Sequence, residues 1–85
     1  MNATVVNRLG LHARPAMAFV DLAGTFTSDI KVAKDDTEVD GKSIMMMMML
    51  AAAQGAVLKI TAEGDDASDA CAKLKALVEG GFDEE

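Results

Sequence analysis

Residues 10–16 (GLHARPA) bring a histidine, an arginine and a proline together at the start of a predicted helix. Pro15 has no N–H to lose and suits the first helical turn, so His12 should lie just before the helix. The unpaired N–H groups at this positive end of the helix dipole form a ready site for an anion. Arg14 could hold phosphate oxygens there. The arrangement favours transfer of a phosphoryl group to a ring nitrogen of His12, while a plain loop or helix-capping histidine is an equally good interpretation.

A second pattern, residues 40–45 (DGKSIM), places Ser43 directly before an apolar run. Serine is among the preferred N-cap residues, so the simplest interpretation is that Ser43 caps a helix. A hydroxyl at a helix N-terminus also tolerates an added phosphate, which the helix dipole stabilises. Ser43 is therefore either a cap alone or a cap that is also a regulatory phosphorylation site.

Five consecutive methionines occupy residues 45–49. A helix that is apolar on all sides is normally buried, but a chain of this size cannot bury every side of a surface helix. Two or three of these side chains should fill the core and the others should face outward. An exposed methionine surface is typical of a docking site, for which Met45, Met46 and Met49 are the predicted residues. A copper(I) site is disfavoured, because neighbouring thioethers diverge on a helix.

The remaining reactive residues do not indicate a second site. Cys71 is the only cysteine, so it cannot form an internal disulfide, and it should be a buried, unreactive thiol on the last helix. One cysteine and one histidine are too few for a structural zinc, and no cofactor or metal is expected. The sequence contains no P-loop, dinucleotide-binding fingerprint or Ser/His/Asp set. A chain without disulfides suits a reducing cytoplasm, which is the predicted location.

Length and charge restrict the remaining classes of function. The 85 residues predict a single domain, residues 1–85, and 51% hydrophobic residues favour an apolar core. A net charge of −6 disfavours nucleic acid or an anionic membrane as a partner. Residues 1–20 are nevertheless +2, through Arg8 and Arg14, whereas residues 21–85 carry 6 basic and 14 acidic residues. The predicted phosphate site around His12 thus lies in the positive segment, and Arg8 and Lys42 are expected to add to its potential at longer range.

The hydrophobic pattern predicts four strands and three helices in the order βαββαβα. Alternating or β-branched residues predict strands at residues 3–6, 29–33, 37–40 and 57–63. Helical spacing predicts helices from Pro15 to Gly24 and from Ser43 to about Leu50, the latter closed at residues 54–55. It predicts a last helix capped by Asp66 or Asp65 and ended at residues 80–81. Residues 82–85 (FDEE), an acidic tail, are expected to fray. Such short strands favour an α+β class with an antiparallel sheet and helices on one face.

The motifs GLHARPA at residues 10–16 and GKSIM at residues 41–45, at this separation, resemble the HPr family of the bacterial phosphoenolpyruvate-dependent phosphotransferase system. The resemblance extends over the whole chain, including the predicted βαββαβα order. It implies an open-faced β-sandwich, in which a four-stranded antiparallel sheet carries three helices on one face. The independent prediction from the hydrophobic pattern agrees with this fold.

The resemblance also implies roles for individual residues. His12 would accept a phosphoryl group on its δ1 (pros) nitrogen from phospho-enzyme I and pass it to a IIA domain. Arg14 would assist the phosphoryl group, and Pro15 would begin the helix whose amides receive it. Ser43 would be phosphorylated by the HPr kinase/phosphorylase, which lowers the relay through His12. The chain would then be a stoichiometric phosphoryl carrier and not an enzyme, and a monomer, because each exchange needs the same face.

An alternative hypothesis is a purely regulatory interaction module, acting in carbon or nitrogen control where the phosphotransferase system is incomplete. Residues 42–45 (KSIM) resemble the kinase-regulated branch of the family, whereas residues 81–85 (GFDEE) are similar to the acidic end of some nitrogen-related relatives. The two hypotheses are compatible, and they differ in which phosphorylation, at His12 or at Ser43, controls the output.

Overall fold

The computed structural model describes residues 1–83, and the end of the predicted acidic tail, residues 84–85, lies outside them. The elements follow the predicted order: β1 (Asn2–Thr4), α1 (Ala13–Ala23), β2 (Asp29–Lys34), β3 (Thr37–Asp40), α2 (Ile44–Met49), β4 (Val57–Glu63) and α3 (Ala67–Glu79), with a short turn at Gly81–Asp83.

The four strands form one antiparallel sheet in the order β1-β4-β2-β3. Val32 at its centre pairs with Ile60 on one side and with Val39 on the other. All three of these side chains are buried, while their sequence neighbours point to the exposed face. Because residues alternate across a strand, one face of the sheet is apolar and carries the helices. The predicted α+β class, with an open-faced β-sandwich, is confirmed.

The helices cover the sheet with the faces that their spacing predicted. On α1, Ala16, Phe19 and Ala23 are buried, and Val20 is half-buried beside them. On α3 the buried positions are Ala70, Leu74 and Val78. α1 packs against α2 and α3, while α3 also packs against β1 and β4. α1, which begins beside His12, is therefore held by both neighbouring helices.

The free edge of β1 is covered by two side chains of α3. Lys75 Nζ donates to the carbonyl of Asn2 at 2.7 Å, and the amide of Thr4 donates to Glu79 Oε2 at 3.3 Å. Lys75 and Glu79 also pair with each other at 3.6 Å. Charged side chains on an edge strand disfavour its pairing with another chain, so this edge is protected.

Several predicted boundaries were wrong. α2 is not closed at residues 54–55, because Leu50 caps it and Ala51 takes a left-handed φ of 50°. β1 ends at Thr4, although Val5 still exchanges backbone hydrogen bonds with residues 55–56. Phe82 does not fray, since its side chain is only 5% exposed and joins the core. Burial of the apolar surface of Phe82 against the core stabilises this position, although acidic residues follow it.

Asp66 precedes α3 as predicted, but its carboxylate binds the loop before β2 and does not cap the helix. It accepts hydrogen bonds from the Ser28 hydroxyl, from the amide of Ser28 at 3.0 Å and from the amide of Thr27 at 2.8 Å. The Ser28 hydroxyl, followed by the Thr27 amide, lowers the pKa of Asp66 from 3.8 to about 2. Hydrogen bonds to the charged form favour that form.

This lowered pKa predicts a pH dependence of stability. The contribution of ionised Asp66 is fully present above its unfolded pKa of 3.8 and is lost as the pH falls towards about 2. In Ser28→Ala, which removes the largest cause, an NMR titration of the Asp66 carboxyl should give a pKa between about 2 and 3.8. The acid unfolding midpoint should rise accordingly. An unchanged Asp66 pKa in this variant would show that Ser28 is not the cause.

Candidate functional site

His12 lies at the N-cap of α1. Its backbone is extended, with φ −84° and ψ −170°, and its carbonyl accepts the first helical hydrogen bond, from the amide of Ala16 at 3.0 Å. The side chain is half-buried and makes no capping hydrogen bond to the helix. His12 therefore stands at the helix end, as the sequence predicted, and its imidazole does not serve as the side-chain cap.

Two backbone amides, those of Ala13 and Arg14, precede this first helical bond and have no carbonyl within the helix to receive them. Pro15 contributes no N–H and is fully buried, so it anchors the first turn in the core. Ala13 and Arg14 are exposed on the same turn. The helix end beside His12 therefore offers two amides and a guanidinium to solvent, a combination that suits a phosphate group.

The loop before His12 is held against the segment that follows α2. The amide of Leu11 donates to the carbonyl of Ala52 at 2.8 Å, and Asn7 Nδ2 donates to the carbonyl of Gly10 at 2.7 Å. Gly10 has a φ of +69°, and a Cβ there would lie 2.4 Å from the carbonyl oxygen of Ala52. The sequence analysis did not identify Ala52 or Asn7 as part of the site. The only sequence signal for this contact is the glycine two residues before His12.

Ser43 is the N-cap of α2, as predicted. Its hydroxyl accepts a hydrogen bond from the amide of Met46 at 3.3 Å, and the side chain is half-buried. At the other end of α2, Lys34 Nζ donates to the carbonyl of Leu50 at 3.1 Å. Each end of this six-residue helix thus has one backbone group bonded to a side chain. Ser43 begins α2 and Ala52 lies just beyond its end, so Ser43 and the His12 loop are at opposite ends of the helix.

Lys42, which was expected to add to the potential of the His12 site at longer range, lies far from His12. Its ammonium group donates to the carbonyl of Phe26 at 2.8 Å, beyond the C-terminal end of α1. The helix is 11 residues long, which places this contact about 16 Å along the axis from His12. Arg8 lies in the loop before His12 and is exposed. Arg14 is the basic residue on the helical turn beside His12.

The methionine run divides between the core and the surface. Met47 is fully buried and Met46 is half-buried against the core. Met45 is 75% exposed, Met48 46% and Met49 70%. These three lie at i, i+3 and i+4, which places them on one helical face. Of the predicted docking residues, Met45 and Met49 are on the surface, Met46 is only partly so, and the spacing adds Met48.

Cys71 is half-buried on α3, and its Sγ donates a weak hydrogen bond to the carbonyl of Ile60 at 3.9 Å. Within residues 1–83, no three side chains of histidine, cysteine, aspartate or glutamate converge on a point that could hold a metal ion. None of the helices in that range is long and apolar enough to cross a membrane.

Comparison with protein-family models gives a match to PTS-HPr, described as the PTS HPr component phosphorylation site, over residues 1–80. Phosphocarrier protein HPr of Neisseria meningitidis is 45% identical over 80 residues, which are 94% of this chain and 90% of the relative. Phosphocarrier protein NPr of Proteus mirabilis is 42% identical over 82 residues, covering 95% of this chain and 91% of the relative.

Comparison with solved structures also finds HPr proteins. The crystal structure of HPr-C-His from Thermoanaerobacter tengcongensis superimposes with a TM-score of 0.95 at 47% identity, covering 100% of this chain and 96% of that one. A crystal structure of an HPr dimer from the same organism matches with a TM-score of 0.81 at 49% identity, covering 94% of this chain and 92% of that one.

Proposed function

The chain belongs to the PTS-HPr family, whose HPr and NPr members are phosphocarrier proteins of the phosphotransferase system, and from this we propose that His12 carries the phosphoryl group. The group comes from phospho-enzyme I, with phosphoenolpyruvate as the original donor, and goes to a IIA domain. The observation that supports this most strongly is the position of His12 at the N-cap of α1, beside two amides with no acceptor in the helix.

The transfer requires a nucleophile and a site for charge. The lone pair of His12 Nδ1 attacks phosphorus, and a P–N bond forms. The bond between phosphorus and the donor atom of phospho-enzyme I breaks, and its electron pair stays on that donor atom. The phosphoryl oxygens are then received by the amides of Ala13 and Arg14 and by the Arg14 guanidinium. The two amides are fixed by the helix before the reaction, so little reorganisation of the backbone opposes the transfer. Transfer to IIA is the same step with the donor and acceptor exchanged.

Docking would use the exposed methionines of α2. The segment after α2 contacts the loop of His12, so a partner that covers this helix also reaches the phosphate site. Met45, Met48 and Met49 offer an adaptable apolar surface there, with Met46 at its edge. Enzyme I and IIA would bind this surface in turn. We propose that the chain acts as a monomer of one domain in the cytoplasm, because each exchange needs the same face to be free, whereas one related structure is an HPr dimer.

The proposal is tested by incubating the protein with phosphoenolpyruvate and enzyme I. We expect one phosphoryl group per chain, labile in acid and stable in base, as a phosphohistidine is. Addition of a competent IIA domain should remove it. A chain that takes up no phosphate from active enzyme I, under conditions in which a known HPr is labelled, would overturn the carrier function.

Arg14 should accelerate the transfer without being essential to it. In Arg14→Ala the amides remain but the guanidinium is lost, and we expect the rate of uptake from phospho-enzyme I to fall by about ten- to a hundredfold. Arg14→Lys keeps the charge but not the bidentate geometry and should recover part of that loss. Stopped-flow or quenched-flow labelling measures both rates. An Arg14→Ala rate equal to that of the unchanged protein would exclude Arg14 from the site.

We further propose that the HPr kinase/phosphorylase phosphorylates Ser43 and thereby lowers the relay. A phosphate there would stand at the N-terminus of α2, next to Met45, and place about two negative charges at the edge of the docking surface. It would act on partner binding and not by touching His12, since Ser43 begins α2 while the loop of His12 contacts Ala52, beyond the other end of that helix.

Two variants separate the role of Ser43 as a helix cap from its proposed role in regulation. Ser43→Ala loses the hydrogen bond to Met46, so we expect a loss of about 1 kcal/mol in the free energy of unfolding, no kinase labelling, and nearly normal uptake at His12. Ser43→Asp retains a capping oxygen and adds a charge, so it should fold normally but accept phosphate more slowly from enzyme I. Equal uptake rates in the two variants would rule out regulation by charge at this position.

The alternative function is a regulatory module in which phosphorylation, at His12 or Ser43, sets the binding of a control protein. The observation in its favour is the structural match to Crh, the catabolite repression HPr of Bacillus subtilis, with a TM-score of 0.69 at 43% identity. The two functions differ in whether any IIA domain of the source organism accepts the phosphoryl group. Phosphorylated protein that is stable in the presence of every such domain would favour the regulatory module.

A further inference from the structure

The methionine face of α2 has a chemical property that the carrier function does not use. Met45, Met48 and Met49, here called the methionine patch, expose 75%, 46% and 70% of their side chains. Met47, in the same helix, is fully buried, and Met46 is half-buried against the core. One short helix therefore contains thioethers at both extremes of solvent access, and the accessible ones form a single surface.

We propose that the methionine patch is a reversible oxidation site, and that its oxidation to sulfoxides by peroxide switches off partner docking. The proposal rests on the carrier function, since docking to α2 is part of it. It concerns Met45, Met48 and Met49, while Met47 is protected by burial.

The reaction is a two-electron oxidation of sulfur. A lone pair of the thioether attacks one oxygen of hydrogen peroxide, the S–O bond forms, the O–O bond breaks, and the second oxygen leaves as water after proton transfer. Sulfur is oxidised to the sulfoxide and peroxide is reduced to water. Methionine sulfoxide reductases return the oxygen as water at the expense of a thiol reductant, so the modification is reversible.

The effect on function follows from the change of surface. Each sulfoxide replaces a flexible apolar group with a strongly polar S=O group, and three lie on the face that a partner must desolvate. A partner shaped for thioethers then meets polar oxygens that it cannot satisfy. His12, Ala13 and Arg14 are not altered, because they lie on α1 and carry no sulfur. Oxidation should thus block protein-dependent transfer while the phosphate site stays competent.

Two phosphoryl donors, phospho-enzyme I and phosphoramidate, distinguish a loss of docking from damage to the phosphate site. The protein is treated with hydrogen peroxide, the peroxide is removed with catalase, and each methionine is followed by peptide mass spectrometry. We expect Met45 and Met49 to oxidise first, Met48 next, and Met47 last. Uptake at His12 from phospho-enzyme I should fall about tenfold or more. Uptake from phosphoramidate, a small donor that needs no docking, should be unchanged, and methionine sulfoxide reductase should restore the enzyme I-dependent rate.

Two variants provide the matched controls. In the triple variant Met45→Leu, Met48→Leu and Met49→Leu, the surface stays apolar, so enzyme I-dependent uptake should resist peroxide even though Met1 and Met17, both about half exposed, still oxidise. In Cys71→Ala the peroxide effect should persist, because the thiol lies on α3 and not on the docking face.

The outcomes that overturn the proposal are separate from those that overturn the carrier function. Oxidised protein that accepts phosphate from enzyme I at the original rate, or a triple variant as sensitive as the unchanged chain, would overturn the switch. An equal loss with both donors would do so too, because it indicates damage to the fold or to His12. Untreated protein that takes up nothing from enzyme I would instead refute the carrier function, while the pattern of methionine oxidation would still be measurable.

Discussion

Replacing His12 with alanine is expected to abolish phosphoryl uptake from phosphoenolpyruvate and enzyme I. No other histidine exists in the chain, so no other imidazole can take over the role. The first helical hydrogen bond uses the His12 carbonyl, which alanine retains. We therefore expect the free energy of unfolding to change by less than about 1 kcal/mol, and the loss of labelling to be a loss of chemistry.

The control for this variant is Ser43→Ala, which removes the other proposed phosphorylation position and should still be labelled at His12. Both proteins are measured in the same assay, with thermal unfolding as the test of the fold. Acid-labile phosphate on His12→Ala, at a rate near that of the unchanged chain, would place the acceptor elsewhere.

Replacing Gly10 with alanine should have the largest effect on stability of any single methyl added to the loop of His12. The new Cβ would lie 2.4 Å from the carbonyl oxygen of Ala52 and 2.9 Å from the Cα of Ala53, both of which are backbone atoms. The φ of +69° adds left-handed strain. We expect a loss of about 2–4 kcal/mol in the free energy of unfolding. Phosphoryl uptake should also slow, because the Leu11 bond to Ala52 positions the start of α1.

Gly55→Ala is the matched control, since Gly55 also has a positive φ, of +92°, but a Cβ there meets nothing within 4 Å. It measures only the loss in the free energy of unfolding that a side chain causes at a positive φ, which we expect to be about 1 kcal/mol. Phosphoryl uptake should be unchanged. Urea denaturation gives both stabilities. Equal losses in the two variants would show that the contact between the His12 loop and residues 52–53 does not hold the site.

The parts of the site that were predicted correctly depend on local rules. Pro15 and the helical spacing place His12 at a helix N-terminus, and Ser43 caps α2 because serine can satisfy an unpaired amide there. Such rules involve residues within one turn of each other. The same holds for the strands, whose alternation gave the βαββαβα order and the buried face of the sheet.

The parts that were missed depend on contacts between distant segments. The carbonyl of Ala52 supports the His12 loop, but a backbone atom of an alanine carries no sequence signal. The long side chain of Lys42 reaches Phe26, a partner that its position in the chain does not reveal. Asp66 or Asp65 was expected to cap α3, yet the Asp66 carboxylate accepts hydrogen bonds from the amides of Ser28 and Thr27. Tertiary packing decides each of these, and only the fold shows it.

The most direct test of the account is the location of the phosphoryl group in the labelled protein. We propose that nitrogen-15 and phosphorus-31 NMR of the protein, phosphorylated by phosphoenolpyruvate and enzyme I, will show one phosphoryl group bonded to Nδ1 of His12. The resonances that shift most should include the amides of Ala13 and Arg14. A phosphoryl group on the other ring nitrogen, on a hydroxyl or on a carboxylate would contradict the proposal that the N-terminus of α1 receives the phosphate.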